Sequence, residues 1–119
     1  CINTISQALD LCDALGDGVG VILDTYHTWW DPDLPRQIAR AGTRILGHHI
    51  SDFLVPTRDP LNDRGMMGDG VVDFKAYRRL VEAAGYAGPQ EVEIFSTAWW
   101  SRPGREVLDT CLARYRAVC

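Results

Sequence analysis

The sequence has no apolar run approaching the ~18 residues of a membrane-crossing helix, so no membrane partner is expected. Basic stretches are missing too: 12 Lys and Arg stand against 16 Asp and Glu, a net charge of −4, and they form no cluster or stripe. Without that electrostatic footprint, nucleic acid is not expected as a partner either. The four cysteines (Cys1, Cys12, Cys111, Cys119) include no C-x-x-C pair. Their wide spacing argues against a disulfide scaffold or a zinc knuckle. It fits reduced thiols in a cytoplasmic protein, with Cys12 and Cys111 on apolar helix faces. No G-x-G-x-x-G follows a strand, so the strongest mark of a dinucleotide fold is missing as well.

What is present, in a chain of one-domain length that is 46% hydrophobic, is an alternation of helical and strand periodicities. Ile2, Ile5, Leu9, Cys12 and Leu15 recur at three- and four-residue steps and predict an amphipathic helix stopped by Gly16. Residues 19–24 form an apolar run suited to a strand buried on both faces. Asp31-Pro32-Asp33-Leu34-Pro35 supplies capping carboxylates and prolines for a second helix, which turns Leu34, Ile38 and Ala41 to one face and ends at Gly42. Residues 45–50 predict the second strand. Residues 52–72 are an aperiodic loop of a length that is usually functional or disordered. Asp73 then caps a helix with Phe74, Tyr77, Leu80, Val81 and Ala84 inward, stopped by Gly85. Glu91 to Phe95 predicts the third strand. A last helix, opening at Ser101-Arg102-Pro103, buries Val107, Leu108, Cys111, Leu112, Tyr115 and Val118.

Strict α-β alternation implies a parallel sheet with right-handed crossovers. An open sheet of three strands would be thin. The other α/β solution is the C-terminal part of a (β/α)8 TIM barrel, its last three βα units, since a whole barrel needs ~250 residues. A start at Cys1, inside what reads as the first turn of a helix, favours this second solution. Residues 1–119 are accordingly expected to be a single-domain fragment, about the last three-eighths of such a barrel.

The three strands end in Asp24, His49 and Glu93. An acidic residue where a buried strand emerges is costly unless its charge is used, and in α/β barrels that emergence is the catalytic face. Taken singly, each residue has a plainer reading: a helix cap, a salt bridge, a satisfied core imidazole. On parallel neighbouring strands the three would converge, and two oxygen donors with one nitrogen suit one divalent metal ion (Mn, Mg, Co or Zn) better than a thiolate site does.

Four segments carry a family resemblance. They are Leu23-Asp24-Thr25-Tyr26-His27, His49-Ile50-Ser51-Asp52, the run from Arg64-Gly65-Met66-Met67 to Val72-Asp73-Phe74, and Val92-Glu93-Ile94-Phe95. In this order they resemble the sugar phosphate isomerase/epimerase family, within the xylose isomerase-like TIM barrel superfamily. That superfamily includes ketose 3-epimerases, hydroxypyruvate isomerases and inosose dehydratases. The resemblance implies metal ligands at Asp24, His49 and Glu93, with Glu93 doubling as an acid/base. It implies substrate contacts at His27 and at Arg64, although the segment between Asp52 and Arg64 is longer than in the epimerases. It also places the family's first metal-binding Glu on a strand before Cys1. The implied reaction is isomerisation or epimerisation of a small sugar or sugar phosphate by proton transfer through a metal-stabilised enediolate. An inosose-type dehydratase would use nearly the same ligands. An apurinic-endonuclease-like hydrolase would need several zinc ions, more than the three His present, and basic DNA contacts. A fragment that binds sugar or metal without turnover is the non-enzymatic alternative.

Further residues divide between site and scaffold. Glu91, two positions before Glu93, faces the same way but deeper, where pairing with an Arg in a lower barrel layer is the better reading than ligation. His48 alternates away toward the helices. Asp52 either orients His49 or caps a loop. Trp29-Trp30 and Trp99-Trp100, just past strand ends, fit internal packing, an apolar wall against a sugar face, or the interface of a homo-oligomer. Gly68-Asp69-Gly70 reads as a turn, because no strand precedes it directly and it has no Lys.

Overall fold

The computed structural model describes residues 1–119. Helix α1 (Ile5–Leu15) opens on a capping box, in which Thr4 Oγ1 accepts the Gln7 N–H and Gln7 Oε1 accepts the Thr4 N–H. It buries Ile5, Leu9 and Cys12. Ile2 and Leu15, expected on the same stripe, are exposed, the first because it precedes the helix and the second because the inward stripe ends at Cys12. Strands β1 (Val21–Asp24), β2 (Ile45–Ile50) and β3 (Gln90–Val92) form one parallel sheet in the order β1-β2-β3. Between β1 and β2 come a single turn, α2 (Thr25–Thr28), and α3 (Leu34–Ala41). Helix α4 (Phe74–Ala83) leads to β3, and α5 (Thr97–Trp100) and α6 (Gly104–Val118) complete the chain. Neither short helix is visible as periodicity in the sequence. Each is started by a capping side chain, Asp24 at the end of β1 accepting from the Tyr26 N–H and Ser96, four residues past β3, accepting from the Trp99 N–H.

The register decides which residues share a face. Leu23 lies beside His48 and points toward the helices, whereas Asp24 lies beside His49 and points away from them. On the helix side Val21, Leu23 and Ile45 join Leu9, Ile38 and Val81 in one core. A second cluster of Ile50, Met66, Met67 and Phe74 sits under α6. The other face is open: Ile22 is 56% and Leu46 66% exposed. Burial of β1 on both faces is therefore not found, because every long helix lies on one side of the sheet. Leu108 and Leu112 of α6 are likewise exposed rather than buried. Only Val107, Cys111, Tyr115 and Val118 of that helix meet the core, and no strand lies beyond β3 to take the outer stripe.

The third strand is shorter than the run from Glu91 to Phe95. Glu93 still donates its N–H to Ile50 O (3.0 Å), but Phe95 O accepts instead from the Arg64 N–H (2.9 Å) and the Thr97 N–H goes to Asn62 O (3.0 Å). Past Glu93 the chain leaves the sheet for the long loop. That loop is ordered around Asp52, which is fully buried and accepts the N–H groups of Phe53, Gly68, Gly70 and Val72 at 2.8–3.0 Å. Asp52 and Gly65 also exchange backbone bonds of 2.9 and 2.8 Å. Gly70 has to be glycine, since a Cβ there would strike Phe53 O and the Asp52 carboxylate.

Candidate metal and substrate site

At the C-terminal ends of the strands, one ligand atom each from Asp24, His49 and Glu93 lie within 4.8 Å of one another. Asp24 is buried and the other two are half-buried. Their spacing is held from behind. Thr25 Oγ1 donates to Ser51 O at 2.7 Å and accepts the Ser51 N–H at 3.1 Å, so two fully buried residues lock the end of β1 to the end of β2. Thr28 Oγ1 donates to Asp24 O at 2.6 Å and lies 2.6 Å from the Tyr77 hydroxyl.

Arg64, carried in by the long loop, completes the cluster. Its Nη1 lies 3.0 Å from Asp24 Oδ2 and 2.9 Å from Glu93 Oε2, and its Nη2 lies 3.1 Å from His27 Nε2. The guanidinium is packed between the rings of Tyr26 and Phe95, 4.6 and 5.0 Å from their centroids. His27 sits at the rim, 3.7 Å from Asp24 Oδ2. His49 Nδ1 faces Glu93 Oε1 at 3.6 Å, and its Nε2 faces Glu91 Oε2 at the same distance. Asp24, His27, His49, Arg64 and Glu93 are thus brought together in one cluster.

The secondary candidates sort differently. Glu91 pairs with His49 across the strands, not with an Arg, because its side of the sheet is open and exposed. Asp52 does not orient His49. Both its oxygens are committed to loop N–H groups, so the loop-cap reading holds. Trp29 packs on Phe53 with centroids 5.3 Å apart, and Trp99 packs beneath Arg102 at 4.3 Å, whereas Trp30 and Trp100 are exposed. His48 turns toward the helices, stacks on Tyr77 and accepts from Gln90 Nε2 at 3.0 Å. Burial pushes its pKa down to about 4, which keeps it neutral near pH 7.

Two features are not legible in the sequence: the Thr25–Ser51 lock and the Arg64 bridge across both carboxylates. Thr25 follows Asp24 directly and Ser51 precedes Asp52, but nothing local says that they meet. Arg64 stands 40 residues from Asp24, and only the family resemblance singled it out.

Two carboxylate oxygens and an imidazole nitrogen within 4.8 Å fit a divalent ion of the Mn, Mg, Co or Zn kind and leave coordination positions open. No helix is long and apolar enough to cross a membrane.

The chain belongs to the xylose isomerase-like TIM barrel family, whose model matches residues 1–114. Its curated relatives include isomerases, epimerases and dehydratases. Inosose isomerase of Bacillus velezensis is 28% identical over 98% of this chain and 43% of its own length. L-ribulose 3-epimerase of Mesorhizobium japonicum is 29% identical over 98% and 34%. 3-Dehydroshikimate dehydratase of Pseudomonas aeruginosa is 32% identical over 87% and 17%. Among solved structures, a protein from Sinorhizobium meliloti 1021 superposes with a TM-score of 0.98 at 64% identity, over 100% of this chain and 44% of that one. The IOLI protein, solved with a zinc atom bound, gives 0.82 at 24% identity over 98% and 44%, a likeness of fold. The chain spans less than half the length of these relatives, and its three βα units are part of a barrel.

Proposed function

We propose that the protein carrying this chain is a divalent-metal-dependent isomerase or epimerase of a small sugar or sugar phosphate. The observation that carries the reading is the convergence of Asp24, His49 and Glu93 within 4.8 Å at three adjacent strand ends. Asp24, His49 and Glu93 would hold the ion. When bound, it would polarise neighbouring substrate oxygens and stabilise the negative charge that develops as a carbon-bound proton leaves. Glu93 is half-buried beside that position and serves as the acid/base that takes or returns the proton. His27 stands at the rim and Arg64 is buried just inside it, where an imidazole and a guanidinium hold hydroxyl, carbonyl or phosphate oxygens. The opposing acid/base carboxylate is assigned to a part of the barrel outside these residues.

A dehydratase is the second reading, supported by the 32% identity to 3-dehydroshikimate dehydratase. It would use the same proton abstraction next to a carbonyl, followed by loss of a neighbouring hydroxyl as water. Incubation in deuterated water with L-ribulose, inosose and 3-dehydroshikimate as probes separates the two. Label gained without loss of water supports the isomerase, and an unsaturated product supports the dehydratase. Glu93→Gln should abolish exchange at the carbon next to the carbonyl, and exchange at the wild-type rate would overturn the role given to Glu93.

A further inference from the structure

The charge balance of this site is set by a residue outside its donor set. One nitrogen of Arg64, Nη1, bridges Asp24 Oδ2 at 3.0 Å and Glu93 Oε2 at 2.9 Å. Asp24 Oδ1 accepts the Tyr26 N–H at 2.9 Å and starts α2, whereas Oδ2 is the oxygen that faces Arg64 and His27. A cation drawn to Oδ2 meets Arg64 there. Glu93 is divided in the same way, with Oε1 facing His49 and Oε2 facing Arg64. Arg64 is also fixed in place. Its side chain is buried between Tyr26 and Phe95, its N–H is bonded to Phe95 O, and the next residue is paired with Asp52. A guanidinium keeps its charge at any working pH.

We infer that Arg64 is a built-in counter-ion of the metal site, an inference that rests on the metal reading above. It holds Asp24 and Glu93 together when no cation is bound, and it competes with the cation for Asp24 Oδ2. Two carboxylates this close repel each other unless a positive charge lies between them. Arg64 supplies that charge, and an entering divalent ion meets it as a like charge at short range. Removing Arg64 should therefore tighten metal binding. A residue that merely props a ligand behaves in the opposite way, since its loss typically costs ~10–100-fold in affinity.

The test is calorimetric titration of Mn²⁺ into the metal-stripped protein that carries this chain, as wild type, Arg64→Gln and Arg64→Lys, with thermal melts of each metal-free form. Arg64→Gln should bind Mn²⁺ about tenfold or more tightly, the scale of one unit charge at a few ångströms, and should melt several degrees lower without metal. Arg64→Lys keeps the charge but loses the stacked fork, and should tighten Mn²⁺ binding less than Arg64→Gln does. Weaker binding by Arg64→Gln would make Arg64 a prop and overturn the inference while leaving the metal site standing. No Mn²⁺ binding by any of the three would remove the metal reading and this inference together. Should Arg64→Gln fail to fold, a structure of the Mn²⁺-loaded wild type decides. The inference requires Arg64 Nη1 to be withdrawn from Asp24 Oδ2, and an unchanged bridge would contradict it.

Discussion

His48 and His49 are neighbours in the chain and lie on opposite faces of β2, and their surroundings differ in almost every respect. His48 is buried among the helices, stacked on Tyr77 and bonded to Gln90. His49 faces two carboxylates, at 3.6 Å each. The pattern repeats on β1, where Leu23 is sealed in the core and Asp24 and Ile22 face the other way. One face of the sheet is packed by helices and provides stability, and the other collects the charged groups. The apolar residues on that second face, Ile22 and Leu46, make sense as part of a barrel interior, which is filled by branched side chains from neighbouring strands.

That contrast can be broken at its strongest point first. Leu23→Ala should cost about 3 kcal/mol in denaturant unfolding, the usual range for a sealed core leucine. Ile22→Ala is the sharper variant. In a protein whose remaining strands close the barrel it should cost about 2 kcal/mol, and in an open sheet under about 1 kcal/mol. The barrel assignment predicts the larger value, and a near-neutral Ile22→Ala would argue for a sheet left open.

The two histidines offer the next comparison. His49→Phe should weaken Mn²⁺ binding at least about a hundredfold, beyond what loss of a supporting residue costs, and change stability little. His48→Phe should leave metal affinity within a few-fold of wild type but alter the acid side of the stability curve. In the folded protein His48 titrates at about 4, below its ordinary 6.5. As pH falls below 6.5 the unfolded chain takes up this proton first. Stability is therefore unaffected by His48 above pH 6.5 and is lost between 6.5 and 4, with a slope approaching about 1.4 kcal/mol per pH unit. Unfolding midpoints measured across that window should flatten in His48→Phe, and an unchanged slope would remove His48 as its source.

The alternation of elements, the parallel sheet, the helix stops at Gly16, Gly42 and Gly85, and the three strand-end residues were all legible in the sequence, because periodicity and strand-end charge are local signals. Burial is not legible where it depends on what lies across the sheet, as at Ile22, Leu108 and Leu112. A hydrophobic residue in the right period does not say whether a neighbouring element exists to cover it. The candidate donors are legible one by one, but the contacts that join them are not. The lock between Thr25 and Ser51 and the Arg64 bridge join residues 26 and 40 positions apart, and only the folded loop brings them together. Asp52 shows the same limit, since its four loop N–H partners follow from a chain path that sequence spacing does not specify.

On the proposed reading, Asp24, His49 and Glu93 hold a single divalent ion. Elemental analysis of the purified protein, set beside Asp24→Asn, tests it most directly. About one divalent ion per chain in the wild type and nearly none in Asp24→Asn is the predicted result. Several zinc ions per chain, or a metal content that Asp24→Asn leaves unchanged, would contradict it.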